Sequence, residues 1–231
     1  AGETWIGRAG AGVLTQTGGT LNSSSYFAVG RETGNPSGFT AGDGTVYLDG
    51  GTINAAISSG FAVLGSYGGA QGYMNVSGGA FNTGDANGHA ASLLIGEGGF
   101  GSFSVVGTGG NVNITGNLHL ALDIGGTDIG GTGYLGFFAA AAGVSTVNVG
   151  GNVNLSSLNR DNLTLNLSDY TGAYEDIQLI DGKTSVGEFY DKPQGSLVAM
   201  DDNSNPYYID YTVAGDVWLR TAPVLKNHWL N

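Results

Sequence analysis

The chain has 231 residues with 44 Gly, 4 Pro and no Cys, and its 7 Lys and Arg face 19 Asp and Glu for a formal net charge of −12. The absent Cys excludes disulfides, thiolate metal sites and thiol catalysis, and the acidic balance excludes a basic nucleic-acid-binding face and docking on anionic lipid. Gly does not recur at every third position, which rules out collagen, and 41% hydrophobic with 10% aromatic residues is too much apolar material for a disordered chain.

The chain opens on AGETWIG, without a basic segment leading into an apolar run, so any signal peptide is expected to be already removed. A glycine element then recurs: WIGRAGAG at 5–12, AVGRETG at 28–34, VLGSYGG at 63–69 and LIGEGGFG at 94–101. An alternating run follows each one, at 13–17, 45–49, 73–77 and 102–106. Each unit closes on Gly-Gly-x-apolar-Asn: GGTLN at 18–22, GGTIN at 50–54, GGAFN at 78–82, GGNVN at 109–113 and GGNVN again at 150–154. The offsets are 32, 28, 31 and 41 residues. In the fifth unit the alternating run reads Ser145-Thr146-Val147-Asn148-Val149, and Asp123-Ile124-Gly125-Gly126 replaces the glycine element, followed by an insertion.

Period-two alternation turns one set of side chains inward and the other to solvent. Gly supplies positive φ at the corners. Units of this size, each with about three short strands, predict a right-handed parallel β-helix of about five rungs over residues 1–157. The repeated Asn suits a corner, and stacked in register the same side chains form an amide ladder. The longest near-apolar stretch, Tyr134 to Val144, is too short to span a bilayer.

From about Leu158 the grammar changes. Leu163–Leu167, Ile177–Ile180, Gly187–Tyr190, Ser196–Ala199, Tyr207–Thr212 and Asp216–Arg220 read as strands separated by turn signals. They predict a β-rich C-terminal cap over 158–221, because a last rung otherwise exposes core and unpaired edge. No comparable cap precedes Trp5. Residues 222–231 form an apolar tail. The tail either packs back on its own domain or docks on a neighbouring subunit; on the second reading the bare first rung and the tail make Trp5, Ile6, Val224, Leu225, Trp229 and Leu230 the candidate subunit interface, with copies of the same chain as partner. Such a heterologous contact grows into a filament.

The glycine element, the alternating run and Gly-Gly-x-apolar-Asn together resemble the β-strand repeats of autotransporter passenger-like proteins. They look especially like those of large secreted bacterial proteins that carry a PEP-CTERM sorting signal. YEDIQLIDG at 174–182 and YYIDYTVAGDVWL at 207–219 are similar to the closing segment of such proteins. The resemblance covers roughly 5–220. It implies export to the cell surface or beyond, and adhesive, matrix or fibre roles. The chain departs from it in lacking a Pro-Glu-Pro motif, a terminal membrane helix, a basic tail and a translocator barrel, so membrane insertion is not expected.

No catalytic, cofactor-binding or metal residue is assigned. Arg8 and Arg31 take equivalent places on adjacent units, followed by Ser66 and Glu97, and Glu97 near Arg31 reads as a surface pair. His89 reads as solvated, His119 as lying on the polar face, and the three His match no metal triad. For Ca2+ the candidates are GGTDIGGTG at 125–133 and the turn Asp201-Asp202-Asn203. The expected function is a secreted structural protein of the cell surface or extracellular matrix. The alternatives are a carbohydrate-binding adhesin using Tyr47, Tyr67 and Tyr73 on an extracellular polysaccharide, and a polysaccharide lyase or hydrolase.

Overall fold

The computed structural model describes residues 2–31, 41–85, 88–127, 129–155 and 160–224. Its regular structure is all β, in nineteen strands and no helix among those residues. The first coil holds β1 (Thr4–Arg8) and β2 (Ala11–Asn22), the second β3 (Phe27–Arg31) and β4 (Asp43–Ala55), the third β5 (Ala62–Ser66) and β6 (Gln71–Thr83). The fourth holds β7 (Leu93–Ile95), β8 (Phe100–Val106) and β9 (Gly110–Ile114), and the fifth β10 (Leu118–Leu120), β11 (Thr132–Phe138) and β12 (Val147–Val149). After them come β13 (Asn152–Asn154), β14 (Asp161–Asn166), β15 (Ile177–Asp181) and β16 (Thr184–Val186), then β17 (Leu197–Met200), β18 (Pro206–Asp210) and β19 (Val217–Arg220).

Successive coils lie on each other in parallel register as a β-solenoid of about five turns. One sheet runs β1-β3-β5-β7-β10-β13-β16, and its parallel pairing continues through β16, past residue 157. The other sheet joins β2, β4 and β6 and then branches, β8-β11-β14 on one side and β9-β12-β15 on the other. The branch has a local cause. In the first three coils one long strand passes through the Gly doublet with a register shift. In the fourth, Gly107-Thr108-Gly109 separates β8 from β9. Beyond β15 the pairing turns antiparallel, in the order β15-β19-β18-β17.

The alternation delivers the core as predicted. Leu14, Val46, Met74, Phe103, Leu135 and Leu163 form one inward row, and Leu21, Ile53, Phe81, Val112, Val147 and Ile180 another. From the second coil on, these side chains are buried. Phe81 sits between Phe27 and Phe103 at ring separations of 6.0 and 5.8 Å. Gln16 interrupts the row of Leu48, Val76, Val105 and Phe137 on the first coil. Its amide donates to the carbonyls of Gly19 and Thr52 at 3.2 and 2.9 Å, so a polar group at an inward position is satisfied.

Two expectations change. The fifth GGNVN does not stack on the fourth. Val147-Asn148 of β12 lies on Val112-Asn113, and the fifth GGNVN supplies β13 to the other sheet, with Val153 on Leu118. Both places accept one apolar residue between two polar ones, so the string alone does not choose between them. The alternating run of this coil is Thr132–Phe138, paired with β8, rather than 145–149. In the last third, a strand forms at Thr184–Val186 rather than at Gly187–Tyr190.

Gly7, Gly30, Gly65 and Gly96 each leave the first sheet at φ between 64° and 79°. A Cβ at Gly65 would stand 1.9 Å from the Phe100 carbonyl oxygen, whereas at Gly19, with φ of 69°, it meets nothing within 4 Å. Gly19→Ala is therefore expected to cost about 1 kcal/mol for the left-handed backbone alone, and Gly65→Ala more than about 3 kcal/mol. Equal losses in thermal unfolding would contradict the close coil contact.

Candidate functional site

The repeated Asn residues fall into register on the outside of the coil. The Asn54 amide donates to Asn22 at 2.8 Å, Asn82 to Asn54 at 2.9 Å, Asn113 to Asn82 at 2.9 Å and Asn148 to Asn113 at 3.1 Å. This is the expected amide ladder, with Asn148 rather than Asn154 as its fifth member. Beside it Thr115 Oγ1 donates to the Thr83 carbonyl at 2.7 Å, and Thr83 Oγ1 donates to the Ala91 carbonyl. Asn54, Asn82, Asn113, Thr83, Thr115 and Asp85 line a groove of about 540 Å3 along this corner. Asn82 is bonded on both sides and Asn22 on one. Asn82→Ala should cost about 2 kcal/mol and Asn22→Ala about 1 kcal/mol. Equal losses in denaturant titration would argue against a cooperative row.

A second cluster lies on the outward side of the first sheet. Trp5 has the Arg8 guanidinium 3.6 Å from its ring centroid and that of Arg31 at 4.6 Å. Next to it in the same outward row, Ala28, Val63 and Leu94 are buried, with Phe61 packed against them. The row continues into His119, paired with Leu94. His119 is on the outward row as expected, yet it is only 2% exposed, and neither ring nitrogen has a hydrogen-bond partner. Glu97 is 3% exposed and accepts a hydrogen bond from Ser66 Oγ at 2.8 Å, so it is a buried acid rather than half of a surface pair.

Burial pushes the Glu97 carboxyl up, opposed by the Ser66 hydrogen bond and Arg31, with Asp123 adding to the rise. Burial pushes the His119 imidazole down, opposed by Asp123. The two groups act in opposite directions on stability. Below 6.5 the unfolded chain takes the His119 proton that the folded chain refuses, so stability falls as pH falls through that range. Above 4.5 the folded chain keeps the Glu97 proton that the unfolded chain has lost, so stability falls as pH rises from 4.5 through the folded value. Denaturant titrations from pH 4 to 8 should show His119→Leu removing the acid-side loss and Glu97→Gln the other. Profiles parallel to the parent chain would contradict both assignments.

Of the candidate interface, Ile6 points into the core and is buried, and Trp5 is half-buried beneath the two arginines. The Val224 carbonyl accepts a hydrogen bond from the Gln194 amide at 2.7 Å. Leu225, Trp229 and Leu230 lie outside the described residues. Trp5 and Val224 are not brought together by any contact among the described residues. The Asp201 carboxylate is spent on its own turn, accepting from the Asn203 and Asn205 amides and the Asn205 side chain. Asp128 lies outside the described residues, and no group of three potential ligands forms among the rest. His89 is half-buried, with Nε2 unpaired.

Of the three tyrosines, Tyr47 and Tyr73 share one face while Tyr67 stands at a corner after β5. Phe100 and Tyr134, which the sequence reading passed over, join that face: the Phe100 ring lies 5.4 Å from Tyr73 and 5.2 Å from Tyr134 between centroids. Aligning 132–138 with 100–106 brings Tyr134 into the row, and the long insertion before it obscures that alignment. Among the described residues no helix is long and apolar enough to cross a membrane. The geometry defines a β-solenoid with a polar Asn corner, an aromatic face and two buried titratable groups, Glu97 and His119. No protein-family model, curated protein or solved structure matches the chain.

Proposed function

We propose that the chain is a structural protein of the cell surface or extracellular matrix that joins copies of itself head to tail into a filament. One observation carries the reading. The seven-stranded sheet is parallel throughout, and among the described residues its two end strands, β1 and β16, are each paired on one side only. A strand so placed offers a row of unpaired backbone groups to another chain. The β1 edge of one copy continues the ladder beyond β16 of the next, and a contact between two different surfaces repeats without closing. β2, the twelve-residue neighbour of β1 in the first coil, likewise pairs only β4, and Val13 on it is 71% exposed. The proposal gives the charged groups of the outward face a packing role: Arg8 and Arg31 hold Trp5, and Ser66 holds Glu97.

Negative-stain microscopy and sedimentation of the purified chain should show filaments whose length grows with concentration. Val13→Lys with Thr15→Lys blunts one end, and Thr184→Pro blunts the other. Each variant alone should stay monomeric, and an equimolar mixture should stop at dimers. A parent chain that remains monomeric at all concentrations, or filaments in either variant, would overturn the proposal.

A further inference from the structure

The face formed by β4, β6, β8 and β11 carries two outward rows. Thr45, Tyr73, Ser102 and Tyr134 are in register in one, and Tyr47, Asn75, Ser104 and Gly136 in the other. Phe100 stands beside the first row, 5.4 Å from Tyr73 and 5.2 Å from Tyr134 between ring centroids. The three rings make one continuous strip across two strand spacings, ~9.6 Å. The Phe138 ring lies over Gly136, where an added Cβ would meet it at 2.7 Å. Tyr47 is 44% exposed and Tyr73 36%. The Tyr73 hydroxyl donates to Gln71 Oε1 at 2.7 Å, which orients its ring. Tyr47, Tyr73, Thr45, Asn75, Ser102 and Ser104 border an open depression of about 230 Å3.

We propose that this face binds a neutral polysaccharide with an extended, β-linked backbone, its pyranose rings lying flat along the Tyr73–Phe100–Tyr134 strip. The chemistry of the face selects that occupant. Aromatic rings offer broad apolar contact at low entropic cost and carry a polar edge, which suits a sugar ring with its axial C–H groups on one side and its hydroxyls at the rim. Hydroxyls of Thr45, Ser102 and Ser104 and the Asn75 amide stand beside the rings, and each both donates and accepts, as sugar hydroxyls require. The two rows hold no Asp, Glu, Lys or Arg. Asp43 and Asp49 border them, and the chain carries a formal net charge of −12, so a polyanion is repelled, while the rows themselves offer no carboxylate to pair with a cationic polymer. A protein anchor seeks a deep, fully desolvated pocket, and this face offers a strip and an open depression instead. The rings are held in register by backbone pairing before any ligand arrives, so little ordering cost remains to be met on binding. Two strand spacings also match the length of a disaccharide step in an extended β-linked chain, so successive rings repeat their contacts along the strip.

The test is affinity electrophoresis of the full chain in native gels containing hydroxyethyl cellulose, soluble starch or polygalacturonate. Retardation by hydroxyethyl cellulose above the other two is expected. Tyr73→Ala and Tyr134→Ala should each weaken it at least about tenfold, while Tyr67→Ala, at its separate corner, leaves it unchanged. Circular dichroism melts of all three variants establish that they fold. No retardation by hydroxyethyl cellulose, equal or greater retardation by a charged polymer or by α-linked starch, or full binding by folded Tyr73→Ala would each overturn the inference. A chain that stays monomeric in the assembly experiment but is retarded here keeps this inference while losing the filament.

Discussion

The whole molecule depends on how closely one coil can approach the next at the point where the chain leaves the first sheet. A Cβ on Gly7, Gly30, Gly65 or Gly96 would lie about 2 Å from a carbonyl oxygen of the following coil, that of Asp43, Gln71, Phe100 or Thr132. Each of those carbonyls belongs to the first residue of the next long strand. The bare backbone of one coil therefore serves as the stop against which the next coil is set. Once that stop is fixed, the register of the run that follows is fixed with it, up to the shift at the Gly doublet. The aliphatic rows, the Asn ladder and the aromatic strip follow from it.

The fifth coil shows what happens when the stop is relaxed. Its equivalent of the glycine is Ala121, which still takes φ of 55°. Ten residues then intervene before β11 resumes the ladder. An insertion is tolerated there because Gly133 re-enters register under Gly101, so the core sees no change in spacing. The same insertion is what separates sequence from structure in this region. The first four units were legible because glycine element, alternating run and Asn follow in the same order in each, even though the second unit holds a longer stretch between the first two. In the fifth, GGNVN at 150–154 copies the motif perfectly but belongs to the other sheet. Thr146-Val147-Asn148, which lacks the Gly doublet, completes the ladder. What the structure conserves is the inward apolar residue flanked by polar ones, and the doublet is only one way of reaching it.

Outward positions were harder to read than inward ones. Alternation says that His119 faces away from the aliphatic column, and it does. It does not say that Ala28, Val63, Leu94 and Phe61 pack into a second apolar cluster there, or that His119 and Glu97 are buried. A single period of two has only one inside. Small residues and aromatics at outward places were the available signal, since Ala28, Val63 and Leu94 are apolar where solvent exposure would have favoured polar side chains. The antiparallel strands of the last third were legible as strands for the usual reason, clean alternation between turns. Their direction was not, because pairing sense is set by neighbours and not by the run itself.

A solenoid also restricts where function is placed. Whatever stands at an outward position tends to be repeated one strand spacing away, so chemistry spreads into rows. The Asn corner and the aromatic face are two such rows on different sides, and each gains from repetition: amides polarise their neighbours along a chain of hydrogen bonds, and flat rings in series multiply weak contacts with a long ligand. Isolated charges gain nothing from repetition and suffer from it, since like groups stacked at one strand spacing repel. The arginines of the first two coils escape that penalty by sharing the Trp5 ring between them, and the series ends at Ser66 and Glu97, where the charge sign reverses. The selection of uncharged groups for the long rows is thus a consequence of stacking itself, and it leaves this architecture suited to extended, weakly bound partners and to its own continuation.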